Sequence, residues 1–142
     1  MGFGVLWERL FSDFWTYSPQ RFGFLLEPNL PLAMIAYWAA LFVGGMALSE
    51  SAARGDVPRA APWIQLFWDI VMFAGLGIAM ESVGLHLGLW RYEAGLSLGV
   101  LPVLQVSSFA ALGYVTIGAF IPTSLRHWRT SLPASGRTAD RS

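Results

Sequence analysis

The sequence predicts an all-α integral membrane fold, with three transmembrane helices behind an amino-terminal amphipathic helix that lies in the membrane interface. Three observations predict it. Of 142 residues, 55% are hydrophobic, 15% aromatic and only 13% charged, whereas a soluble domain carries about a quarter charged residues. Three stretches are long and apolar enough to cross a bilayer, which takes about 20 residues. The residues before them repeat apolar and polar positions at helical spacing.

The amino-terminal segment, residues 1–28, sets Phe3, Trp7, Leu10, Phe14 and Tyr17 against Glu8, Arg9, Ser12, Asp13 and Thr16. Such a pattern seats a helix in the interface, and three charges in its first half argue against a fourth crossing. No small-residue cleavage site follows, so no signal peptide is expected. The transmembrane domain then covers residues 29–125. Its first span runs from about Leu30 to Ser49, opened by Pro28 and Pro31. The second runs from about Trp63 to Trp90, and the third from about Leu96 to Ile121, closed by Pro122. All three are apolar around the whole helix, as buried or lipid-facing helices are. Residues 126–142 read as a disordered tail, with the arginines of "RHWR" at the membrane surface. Arg54 and Arg59 share the tail's side of the membrane. The positive-inside rule assigns that side to the cytoplasm, in a multi-pass protein of a bacterial-type inner membrane.

Composition excludes several classes. The chain has no cysteine, hence no disulfide frame, thiol nucleophile, thiolate metal site or iron–sulfur cluster. The formal charge is zero and the arginines are scattered, so nucleic acid is not a partner. His86 and His127 fall on opposite sides of the membrane, which makes a metal site of the usual histidine–carboxylate kind unexpected. No cofactor is expected.

The second span carries the chemistry. Trp68 and Trp90 are separated by about 33 Å of helix, the distance between two interfacial aromatic belts. Asp69 lies beside one belt, a turn from Gln65, where it either solvates the interface or pairs with Arg54 or Arg59. Glu81 lies about 13 Å inside the other belt, where an unpaired charge costs at least about 2.5 kcal/mol. It shares a stripe with Ala74, Gly77, Gly84 and Gly88, so it is expected to face protein. There it either pairs with a donor or stays protonated by burial. A bond that glues two helices and a functional acid both remain open. Gln105, Ser107 and Ser108 are its candidate partners. Gly84 with Gly88 and Gly95 with Gly99 form small-residue pairs suited to helix contact. Three short-linked helices enclose little volume, so a second membrane subunit or a homo-oligomer is expected beside the lipid.

The order of features also resembles a known family. An acid (Glu81) precedes "GLWRY", with Gly88, Trp90 and Tyr92. Leu101-Pro102 follows, and then a helix with Phe109. This pattern, over roughly residues 30–121, resembles the lycopene-cyclase domain of heterodimeric carotenoid cyclases, and more distantly the integral membrane terpenoid cyclases. The resemblance implies acid-initiated cyclisation of a hydrophobic isoprenoid, with Glu81 as proton donor and Asp69 and Gln105 as further polar site residues. Trp90, Tyr92, Trp68 and Phe73 would be aromatic faces for the carbocation. Where the family places glutamates after the proline, this chain has Leu104 and Gln105. Those acids would then come from a partner, or the chemistry differs. The alternative is a non-catalytic subunit of a membrane complex that holds a lipid or pigment.

Overall fold

A computed structural model describes residues 2–22, 25–27, 30–56, 61–93, 99–101 and 103–131. The chain runs α1 (Gly2–Leu10), a 3-10 turn (Ser12–Phe14), β1 (Trp15–Tyr17), α2 (Pro19–Phe22), β2 (Leu25–Glu27) and β3 (Leu30–Pro31). It continues through α3 (Leu32–Asp56), α4 (Pro62–His86), β4 (Trp90–Tyr92) and α5 (Ser108–Ser131). The helices α3, α4 and α5 are each long and apolar enough to span a membrane. Helix α4 packs against both of the others. The surface they leave outward is apolar, with Val43, Trp63, Leu112 and Phe120 exposed, as suits helices whose solvent is lipid.

Each boundary has a local cause. Helix α4 starts with Pro62 in its first turn, where a missing N–H loses nothing. It ends in a Schellman motif. Gly88 takes φ 65°, its N–H donates to Leu85 O at 3.0 Å, and the Leu89 N–H donates to Gly84 O at 2.9 Å. The chain reverses there, so Trp90 does not continue outward to an interfacial belt. It turns back and its ring lies over Gly84. Helix α5 starts at Ser108, later than hydropathy suggests. Gly99 (φ 104°) and Gln105 (φ 58°) both adopt left-handed backbone in the turn before it. Ser107 Oγ accepts from the Ala110 N–H at 3.1 Å, as an N-cap residue does. Pro122 does not close this helix; it is buried inside it. Residues 126–131, expected in the tail, are its last turns.

The amino-terminal segment differs from the expectation of one amphipathic helix. The helix stops at Leu10, and Trp15–Tyr17 is a strand paired antiparallel with Trp90–Tyr92, in the register Trp15↔Tyr92 and Tyr17↔Trp90. A second small ladder joins β2 to β3. The all-α expectation therefore holds for the bundle but misses these short strands. The core centres on Trp38, Leu41, Phe73, Tyr114 and Ile117. A second cluster of Tyr17, Met34 and Trp90 lies at the end where β1 and β4 cross the bundle.

Candidate functional site

The β1–β4 ladder organises the site. Side chains two apart on a strand share a face, so Trp15 and Tyr17 point together, as do Trp90 and Tyr92. Each pair serves one carboxylate. Trp90 Nε1 donates to Glu81 Oε1 at 2.9 Å and the Tyr92 hydroxyl to the same oxygen at 2.8 Å. The Tyr114 hydroxyl of α5 donates to Glu81 Oε2 at 2.7 Å, and it shares a hydrogen bond of 2.6 Å with the Tyr37 hydroxyl of α3. Trp15 Nε1 and the Tyr17 hydroxyl donate to Glu8 Oε2 at 3.1 and 2.5 Å, and Trp38 Nε1 donates to Glu8 Oε1 at 2.8 Å. Both carboxylates are buried, Glu8 to 4% and Glu81 to 8% exposure.

Every one of these donors is a neutral phenol or indole. Burial pushes the Glu8 carboxyl above the ordinary carboxylate range; the hydrogen bonds from Tyr17, Trp38 and Trp15 oppose that shift, and the charge of Glu81 adds to it. Tyr17 and Tyr92 are pushed up too, mainly by burial and then by the neighbouring glutamates, so both stay protonated and remain donors.

Glycines make room for the donor rings. A Cβ at Gly77 would overlap the ring of Tyr114, and a Cβ at Gly84 would overlap the ring of Trp90. The stripe that the sequence suggested for helix-to-helix contact thus seats two of the aromatic groups that hold Glu81. Gly88 and Gly99 serve as left-handed turn residues, and Gly95 lies outside the described residues. The close approach of two backbones occurs elsewhere, at Gly118, where a Cβ would stand 2.9 Å from the Asp69 carbonyl oxygen and from the Ile70 Cα.

Two spaces meet at this site. A small cavity of ≈ 40 Å³ is lined by Glu8, Glu81, Tyr17, Tyr37, Tyr114 and several apolar rings. An open groove of ≈ 490 Å³ runs between α3 and α4, lined by Ala36, Ala40, Met80 and Val83, and it reaches Tyr37 and Trp90. Those two rings stand 5.9 Å apart, edge to face, and border both spaces.

The other expected site residues lie apart from Glu81. Asp69 is fully buried, and its partner is not Arg54. Arg126 of α5 grips it with two bonds of 2.6 Å, Ser49 donates to it, and Gln65 donates at 3.2 Å. Arg54 instead pairs with Glu50 at 3.6 Å, while Arg59 lies outside the described residues. Gln105 is exposed in the turn before α5 and does not reach Glu81. Among the other proposed partners, Ser107 contacts Tyr92 rather than the acid, its N–H donating to the hydroxyl at 3.4 Å. Ser108 donates to Gly99 O. Phe73 is core, buried against Phe42 and under Gly45, and Trp68 stacks edge-on with Phe67. Neither lines the cavity or the groove. Among the described residues no cluster of three acids or histidines is placed to hold a metal.

Sequence reasoning missed Glu8, Tyr17, Tyr37, Trp38 and Tyr114. Their contacts with the acids span up to 33 residues for Glu81 and 30 for Glu8, beyond any local pattern. One signal was present: Glu8 is an acid flanked by Trp7 and followed by Trp15 and Tyr17, so indole and phenol donors were near in the chain.

No protein-family model, curated protein or solved structure matches the chain.

Proposed function

We propose that the protein is an isoprenoid-cyclase-like membrane protein in which Glu81 starts the reaction by protonating a carbon–carbon double bond. The observation that carries this reading is a buried carboxyl held, among the described residues, by neutral donors, beside an apolar groove between α3 and α4. A linear isoprenoid would lie between α3 and α4 and bring its end to Tyr37 and Trp90. The Glu81 O–H bond breaks, its proton forms a C–H bond with the alkene π electrons, and the far carbon becomes cationic. A second double bond attacks that carbon and closes the ring, and loss of a proton from a neighbouring carbon restores an alkene. Trp90, Tyr92 and Tyr114 stabilise the carboxylate left on Glu81 by donating to it. The faces of Trp90 and Tyr37 stabilise the cation, and the apolar walls keep water from it.

The resemblance to the lycopene-cyclase domain supports the same chemistry through Glu81, Gly88, Trp90 and Tyr92. The orientation belongs to this proposal as well: Arg54, Arg59, Arg126 and Arg129 favour the cytoplasm for the carboxyl-terminal end, with α1 at the opposite interface. One observation favours the second reading, a non-catalytic lipid- or pigment-holding subunit of a larger complex: the turn before α5 offers Leu104 and Gln105, both exposed, where a cyclase would carry acids.

Expression in a host that makes linear isoprenoids separates the two. The cyclase reading expects a new cyclic product, lost in Glu81→Gln while the variant still purifies with bound isoprenoid. Product formation that survives Glu81→Gln overturns the assigned donor. Co-purifying membrane subunits without any turnover point to the second reading.

A further inference from the structure

The chemistry above leaves a proton to be returned, and a second acid stands where it can return it. Glu8 comes from α1 and Glu81 from the last two turns of α4, yet both line the same cavity. We propose that Glu8 and Glu81 form one proton-exchanging pair across this cavity, in which Glu8 takes up the proton released after ring closure and passes it back to Glu81. The proposal rests on the reading of Glu81 as the initiating acid, and adds a role for a residue outside the family pattern.

The geometry supports exchange in three ways. The cavity of ≈ 40 Å³ has room for water, which needs roughly 10–15 Å³ of such space and two to four polar partners. Those partners are the two carboxyls and the hydroxyls of Tyr17, Tyr37 and Tyr114, one or more from each of α1, β1, α3, α4 and α5. Glu8 Oε1 takes a single bond, from Trp38, among the described residues, which leaves a lone pair for such a water. Finally, the Tyr114–Tyr37 hydroxyl pair can run in either direction. Tyr114 can donate to an ionised Glu81, or turn to accept from a protonated one while donating to Tyr37.

The titratable groups facing the pair are Tyr17 beside Glu8, Tyr92 beside Glu81, and Tyr37 and Tyr114 between them. Among the described residues no arginine or histidine lines the cavity. Charge on one carboxyl therefore opposes charge on the other without a lining cation to offset it, and the two titrate as a unit. Both steps balance: a C–H bond beside the cation breaks, its electron pair forms the alkene and its proton forms an O–H bond on ionised Glu8; that O–H bond then breaks and one forms on the Glu81 carboxylate, with water as a carrier of unchanged composition.

Infrared titration of the purified protein in lipid nanodiscs tests the pair without any substrate. Carboxyl and carboxylate bands are followed with pH in wild type, Glu8→Gln and Glu81→Gln, with ¹³C-labelled glutamate to isolate the glutamate bands. The expected result is that each substitution moves the midpoint of the remaining acid toward lower pH by about one unit or more, a tenfold change in its proton affinity. Midpoints that coincide in wild type and variants overturn the proposal. If Glu8→Gln does not fold, the Glu81→Gln titration decides alone, because it reads Glu8 directly. Where turnover is present, Glu8→Gln is expected to slow steady-state product formation at least tenfold and to shift its pH profile, with Glu8→Asp partly restoring both. An unshifted profile overturns the return role. Coupled titration in a protein that makes no cyclic product would instead retain the pair and overturn the cyclase reading.

Discussion

Helix α4 carries two buried acids about 18 Å apart along its axis, and they are held in opposite ways. Asp69 is met by a cation. The Arg126 guanidinium grips both carboxylate oxygens, Ser49 and Gln65 fill further acceptor positions, and the side chain has no exposed surface. Glu81 is met by phenols and an indole, and it borders a cavity and lies behind an apolar groove. A carboxylate closed into a bidentate ion pair has a cation fixed against both of its oxygens. A carboxyl among neutral donors can change its protonation without leaving a cation behind. The first arrangement clamps α3, α4 and α5 together, and the second sets a carboxyl among neutral donors at the edge of open space.

The sharpest way to break the comparison is to remove the cation. Arg126→Ala leaves Asp69 charged, buried and unpaired, which costs about 3–5 kcal/mol. Denaturant or thermal unfolding in mild detergent should show that loss, and it should shrink when Asp69 is changed to Asn in the same chain. A cost below about 1 kcal/mol would place the Asp69 end among ordinary exposed pairs. The matching test at the other end is steric. Gly84→Ala drives a methyl into the Trp90 ring, so Trp90 must move and its bond to Glu81 is lost. The expected cost is about 1–3 kcal/mol, together with loss of any product. Gly75 is the control, since a Cβ there meets nothing within 4 Å. Gly75→Ala should be neutral or stabilising by up to about 1 kcal/mol.

How much of this was legible in the sequence follows from the range of each interaction. The three spans were legible because hydropathy is a local property. The start of α5 was not, because the residues before it are as apolar as a span and only the left-handed backbone at Gly99 and Gln105 keeps them out of the helix. Glu81 was legible as an acid in an apolar run, whereas Trp90 and Tyr92 stood out only as aromatic residues after it, with Trp90 read as part of an interfacial belt. The reason Trp90 reaches Glu81 was not, because it needs both the Schellman turn at Gly88 and the empty space over Gly84. Asp69 and Arg126 lie 57 residues apart in the chain, near ends of α4 and α5 that the hairpin topology brings together. Hydropathy assigned that arginine to a surface anchor because it does not register partners.

A smaller effect is expected from Glu81→Gln. The amide oxygen still accepts from Trp90 and Tyr92, and the Tyr114 hydroxyl can turn to accept from the new N–H₂. Stability should change by about 1 kcal/mol or less, while the proposed cyclase reading expects product formation to be abolished. That split between folding and turnover is what separates this end of α4 from the Asp69 end, where substitution is expected to act on stability first. A loss of several kcal/mol in Glu81→Gln would make Glu81 a clamp like Asp69.

The smallest effect is a slope. Glu8 has its carboxyl pKa raised in the folded protein above its ordinary 4.5, so the folded state holds the Glu8 proton more tightly than the unfolded chain does. The stabilisation from that proton is therefore complete below about pH 4.5, and it is lost as pH rises from there through the raised folded value. Above that value Glu8 is ionised in both states and adds no further slope. Glu8→Gln cannot titrate, so the stability difference between wild type and Glu8→Gln should fall as pH rises from about 4.5 through the raised folded value and then level off. Unfolding midpoints of the two proteins in the same detergent, measured across that window, give the difference directly. Parallel curves would mean that Glu8 holds its proton no more tightly when folded, and the contrast between a cation-matched acid and acids held by neutral donors would then rest on Glu81 alone.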